Sequence, residues 1–125
     1  MATSSTEKPS RIPLRKGWEE QLPLTAVTFH TLLCLIDGPM HGYAIARQIE
    51  ERSGQRIRMG PGTLYGSLHR LRELDYIEEC DSPAGGESER RRYYRLTDYG
   101  RQVLEAEAQR LAEDVRLLRS KKVIR

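Results

Sequence analysis

The chain has 125 residues, 38% of them hydrophobic, with one Trp and one Phe. That length suits one domain, or one domain with an appendage, and so thin a core gains from burial against a second subunit. The net charge is only +3, and two cysteines cannot build a disulfide framework, so reduced thiols are expected.

Met1 to Ser10 is polar and lacks the apolar stretch of a signal peptide, and the longest apolar run, Leu32 to Ile36, is far too short to span a bilayer. A cytoplasmic protein without membrane contact is the expectation. Residues 1–17, rich in Ser, Thr, Pro and Lys, read as a flexible arm. Leu24 to Asp37 reads as a first helix, started by Pro23 or Thr25 and stopped by Asp37-Gly38-Pro39. Its apolar residues cover most of its circumference, which implies burial by its own domain and by a partner. His41 to Ser53 reads as a second helix, with Ile45 and Ile49 one turn apart and Gly54 as its stop. Arg56 to Met59 is either a short strand or simply the turn. Thr63 to Tyr76 reads as a third helix, with Leu64, Leu68, Leu71 and Leu74 striping one face. Pro61 between two glycines sets a sharp elbow before it.

Tyr76 to Cys80 and Arg91 to Leu96 read as two strands around a turn-rich loop, Asp81 to Arg90. Thr97 is a favourable cap for a fourth helix, Asp98 to about Ser120. Leu104, Ala108, Leu111, Val115 and Leu118 alternate steps of four and three along it, a short heptad seam. Residues 121–125 form a basic tail. The fold class is therefore mainly α with a small β-wing. A winged helix-turn-helix domain spans 18–97, and a dimerisation helix spans 98–120. Leu24 and Val27 join the seam residues as candidate dimer contacts.

The charge distribution says more than its total. Residues 54–72 hold four arginines and no acid, residues 87–95 hold four arginines against two glutamates, and residues 1–18 hold four cations against Glu7. Basic charge thus falls on the segments that would face a polyanion. A helix with a polar outer face beside an arginine-tipped ribbon fits double-stranded DNA, the helix in the major groove and the ribbon on the flank. The candidate contacts are Thr63, Tyr65, His69 and Arg70 on the third helix and Arg90, Arg91 and Arg92 on the wing. Each has a plainer reading. Thr63 caps the helix, Tyr65 packs under the wing, Arg70 pairs with a carboxylate, and the arginine run is a solvated surface. Alternation sends Arg91 and Arg92 to opposite faces.

His41-Gly42-Tyr43 reads as structural: His41 a cap, Gly42 a close-packing point, Tyr43 a buried phenol. No metal, cofactor or catalytic constellation is expected, since no second ligand stands at metal spacing and no Ser/His/Asp set is placed on a plausible scaffold. Cys34 reads as core, and Cys80, at a strand end, as a reduced thiol, with oxidant sensing as the alternative. Trp18 either pins the arm to the domain or forms one wall of an effector pocket between subunits. The competing functional class is a winged-helix protein-interaction module without specific DNA binding.

Three motifs carry a family resemblance: Gly38-Pro39-Met40-His41-Gly42-Tyr43, Gly60-Pro61-Gly62-Thr63-Leu64-Tyr65, and Arg91-Arg92-Tyr93-Tyr94-Arg95-Leu96-Thr97 leading into Gly100. In this order the chain resembles the PadR-like winged-helix transcriptional regulators over roughly Leu24 to Leu118. The resemblance implies a homodimer whose fourth helix packs on the partner's first and fourth. It implies a third helix in the major groove of a pseudo-palindromic operator and repression of a nearby transport or detoxification operon. It also implies the short branch of the family without a large C-terminal domain, and a small hydrophobic effector as a candidate ligand. Two departures stand out. The fourth helix has no aromatic after Tyr99, where some relatives sandwich flat drugs, and position 66 is Gly, where many relatives carry a larger side chain.

Overall fold

The structure, a computed structural model, describes residues 17–83 and 92–125. Most of the expected arm, and Arg90 and Arg91 of the wing, lie outside the described residues, as does the side chain of Trp18. A short 3-10 turn, Trp18–Gln21, precedes helix α1, Ala26–Cys34. Of the two expected starters, Thr25 caps α1, its hydroxyl oxygen accepting the Thr28 N–H at 3.2 Å. The chain then tightens into a second 3-10 turn, Leu35–Asp37, and leaves it at Gly38, whose φ of 143° an L side chain rarely adopts.

Met40–His41 forms strand β1, which the expected elements did not include because two residues are too few to show alternation. Helix α2, Gly42–Arg52, is capped by His41, whose Nδ1 accepts the Ala44 N–H at 3.2 Å. Residues 56–59 are turn and not strand. The hydroxyl of Ser53 accepts the Ile57 N–H at 3.0 Å and Met59 is buried. Helix α3 is Pro61–Glu73, starting two residues before the expected Thr63, because proline is pre-set for a first helical position. Asp75, with φ 65°, reverses the chain into β2, Ile77–Cys80. β3, Tyr93–Leu96, lies between β1 and β2, antiparallel to both, with Glu78 opposite Arg95 and Met40 opposite Tyr94. Helix α4, Asp98–Ser120, is capped by Thr97, whose Oγ1 accepts the Gly100 N–H at 2.9 Å.

One core joins these pieces. Leu32 and Leu35 of α1 and its extension, Ile45 and Ile49 of α2, Leu68 and Leu71 of α3, Tyr94 of the sheet and Val103 of α4 are all buried in it. Tyr43, expected to be a buried phenol, is instead 62% exposed on the outside of α2. Leu104 lies in this core, so the part of the heptad seam left open begins beyond it.

Two junctions fix how α4 sits. Thr97 donates its hydroxyl toward the carbonyls of Asp75 and Tyr76, and its N–H donates to the Tyr76 carbonyl at 3.0 Å. Gly100, in the first turn, lies so close to Tyr76 that a Cβ there would overlap the Tyr76 carbonyl. Further along, the buried Glu107 carboxylate accepts the Leu24 N–H at 3.0 Å and the Arg110 Nε–H at 2.7 Å, tying the approach to α1 onto α4. The Arg110 hydrogen bond holds the Glu107 carboxyl below its usual range, against burial, with help from the Leu24 amide.

Three outcomes follow from this packing. Gly100→Ala lowers stability by roughly 3 kcal/mol in denaturant unfolding, because backbone must move. Gly66→Ala raises it by about 1 kcal/mol, because position 66 opens to free space and glycine is a poor helix former. For Glu107, whose folded pKa is depressed, the stabilisation is complete above the ordinary carboxylate pKa and is lost as pH falls through the folded value. Glu107→Gln therefore unfolds at lower temperature than wild type at neutral pH, and the gap narrows as pH falls below the ordinary carboxylate range. Parallel melting-temperature profiles across that range would rule out this role.

Candidate nucleic-acid interface

The leucine stripe of α3 faces the core, so helical geometry turns Gly62, Gly66, His69 and Glu73 outward. Thr63 and Arg70 lie along one edge of this strip, and Tyr65 and Arg72 along the other. The two outward glycines leave the middle of the strip as bare backbone with open space in front of it. A ligand surface can therefore approach the helix axis more closely than side chains would allow.

The start of α3 supplies donors. Gly60 is the N-cap and offers no side-chain acceptor, so Thr63 is not the cap. Pro61 has no N–H, and the first helical hydrogen bond runs from Leu64 N to Gly60 O at 2.9 Å. The N–H groups of Gly62 and Thr63 therefore project from the helix end beside the exposed Thr63 hydroxyl, an arrangement that favours an anionic oxygen.

Tyr65 is 47% exposed and leans on the start of α2, where a Cβ on Gly42 would stand 3.3 Å from its hydroxyl. It therefore couples α3 to α2 and is not buried under the wing. Beside it, Tyr43 stacks on His41 with ring centroids 6.4 Å apart, and the Arg47 guanidinium lies 5.9 Å from the Tyr43 ring centre. Neither Tyr43 nor Arg47 was among the sequence candidates. Their spacing of four residues, on a helix starting at Gly42, was the available signal.

Carboxylates temper the basic charge. Glu79 of β2 reaches Arg72 of α3 at 3.1 Å and Arg92 at 3.3 Å, joining the recognition-type helix to the wing. Arg95 pairs with Glu78 across the strands at 2.7 Å, and His69 lies 3.2 Å from Glu73. Arg70 has no ion pair with any described carboxylate, so its plainer expectation is not met within the described residues. Burial pushes the Cys80 thiol up, which disfavours the reactive thiolate.

On α4, Ala108 is exposed and Leu111 and Val115 are half-buried. Leu117, Leu118, Val123 and Ile124 stand exposed beyond them. Leu24 and Val27 are half-buried at the start of α1, close to α4 through the Glu107 link. Among the described residues no cluster of His, Cys, Asp and Glu could hold a metal ion, and no helix is long and apolar enough to cross a membrane.

Known proteins share parts of this sequence and of this fold. An uncharacterized 37.1 kDa protein in transposon TN4556 of Streptomyces fradiae is 44% identical over 81 residues, 65% of this chain, which spans only 21% of that relative's length. A transcriptional regulator of Mycobacterium tuberculosis is 34% identical over 88 residues, covering 70% of this chain and 78% of that protein. Among solved structures, Bacillus subtilis PadR in complex with operator DNA superposes with a TM-score of 0.55 at 27% identity, covering 67% of this chain and 46% of that one. The model of the transcriptional regulator PadR-like family matches residues 32–106, from the last turn of α1 into α4. With the three-stranded sheet and the helix start at Gly60-Pro61 in place, the chain belongs to the PadR-like family of transcriptional regulators.

Proposed function

We propose that this chain acts in the cytoplasm as a homodimeric repressor that binds a pseudo-palindromic operator near its own gene. α3 lies in the major groove, with the wing, Arg90 to Arg92, on the flanking backbone. The observation that carries the reading is the outward strip of α3: bare backbone at Gly62 and Gly66, free N–H groups at one end, and Thr63, Tyr65, His69 and Arg70 along its edges. Such a surface suits a phosphate-lined groove and offers little apolar area to a protein partner. The Bacillus subtilis relative bound to operator DNA supports it. The half-exposed strip of Leu111 and Val115, continued by Leu118, supports pairing through α4, with Leu24 and Val27 of the partner's α1 and with Ala108 at its edge. The reading extends to a transport or detoxification operon as target and to a small apolar effector as its release signal.

A mobility shift on the region upstream of its own gene tests this. Saturable binding that resists nonspecific competitor is expected, with recognition helices one helical turn apart, ~34 Å. Weak, sequence-blind binding would instead favour a protein-interaction module. Arg91→Ala with Arg92→Ala weakens binding and flattens its salt dependence. Glu79→Gln releases Arg72 and Arg92, so binding tightens and the salt slope steepens by about 0.9 for each further phosphate neutralised. Leu111→Asp with Val115→Asp shifts sedimentation to the monomer while the helical circular dichroism stays intact; a dimer that survives both changes overturns the assigned interface.

A further inference from the structure

Three polar side chains gather at the start of α2, on a face that neither the outward strip of α3 nor the wing accounts for. Tyr43, in the first turn, is 62% exposed, and its hydroxyl has no hydrogen-bond partner among the described residues. Its ring is set by a parallel stack on His41, the planes 7° apart, while His41 meets the Tyr93 ring of β3 edge-on at 5.4 Å. Arg47, one turn on, lies over the same Tyr43 ring at 5.9 Å. Its ion pair with Glu51, at 4.0 Å, is loose and solvent-exposed. From α3, the Tyr65 hydroxyl would stand 3.3 Å from a Cβ on Gly42, the residue before Tyr43. It too has no hydrogen-bond partner among the described residues.

Two phenols and a guanidinium therefore offer donors to solvent from positions that packing has fixed. A side chain already ordered loses little freedom when it takes a ligand. The positive end of the α2 dipole adds to the same spot, and Glu51 tempers it. Tyr65 belongs to the N-terminal half of α3 and Tyr93 to the wing strand, so the start of α2 adjoins both parts of the candidate interface. Hydroxyl and guanidinium donors without a neighbouring acceptor suit a phosphate oxygen better than an apolar partner. A duplex whose major groove holds α3 presents phosphates along both edges of a groove about 12 Å wide.

We infer that Tyr43 and Arg47 of α2, with the Tyr65 hydroxyl beside them, grip a backbone phosphate at the edge of the major groove. This rests on the DNA reading above and adds a third anchor, on a different helix from α3 and apart from the wing. Such a contact carries no base information. It fixes how deeply, and in which register, α3 enters the groove.

Titrations of the full chain against a duplex from the region upstream of its own gene, and against an unrelated duplex of equal length, test the grip. Arg47→Gln weakens both by the same factor, about 10-fold, and flattens the salt slope by about 0.9 per half-site. Tyr43→Phe keeps the stack on His41, weakens both duplexes about threefold and leaves the salt slope alone. Both variants melt within about two degrees of wild type, because both side chains are exposed. Arg47→Lys restores the slope but not all of the affinity. Arg52→Gln changes neither, since Arg52 ends the same helix in the neighbourhood of His30 and Cys34 of α1. Replacing single phosphates of the upstream duplex by uncharged methylphosphonates locates the contact. At one linkage per half-site the wild type loses affinity and Arg47→Gln loses no more. A chain that binds neither duplex ends the DNA reading and this grip with it. Upstream binding unchanged by Arg47→Gln and Tyr43→Phe, or a loss confined to one of the two duplexes, overturns the grip and leaves the DNA reading standing.

Discussion

The first turn of α4 rests directly on the carbonyl of Tyr76, and the rest of the architecture hangs from that contact. Thr97 gathers the chain end after α3 by accepting the Gly100 N–H while its own N–H and hydroxyl donate to Tyr76 and Asp75. Gly100 makes the approach possible because no side chain intervenes. The direction of α4, the height of the sheet and the end of α3 are set together at this one point. A chain built this way holds α3 at a fixed angle to α4, the relation that the proposed pairing on two half-sites would require.

The electrostatics of the outer surface are more restrained than a count of arginines implies. Glu79 holds one arginine from α3 and one from the wing, so the wing is braced against the helix at some loss of free positive charge. These pairs are solvent-exposed, and each contributes little to stability. Their effect is positional: they keep long side chains in a defined place until a stronger anion competes. Arg70 stands outside this arrangement, on the flank of α3 toward the segment before α1, and that separates it from the arginines that merely brace.

The elbow, the leucine stripe and the Thr97 cap were plain in the amino-acid order because each is a local rule. Pro61 lacks an N–H, leucines at helical spacing make a face, and a threonine before an acidic turn starts a helix. β1 was not legible, because Met40 and His41 become a strand only when Tyr94 and Tyr93 are brought beside them. Tyr43 was misplaced for a related reason: a tyrosine at a helix start reads the same whether its ring points in or out. Leu104 fitted a seam by spacing, yet the core claimed it first.

The local order of residues determined most of the element types, the caps, the helix start at Gly60-Pro61 and the basic bias of the α3 and wing segments, since hydrogen-bonding capacity, backbone freedom and charge belong to residues and their near neighbours. Only the tertiary structure decided that Glu79 bridges α3 and the wing, that Glu107 fastens the approach to α1, and that Arg70 and Tyr76 line a cleft with Leu24 and Val27. Those relations join residues many positions apart. Their energies depend on distance and burial, which exist only once the chain has closed around its core.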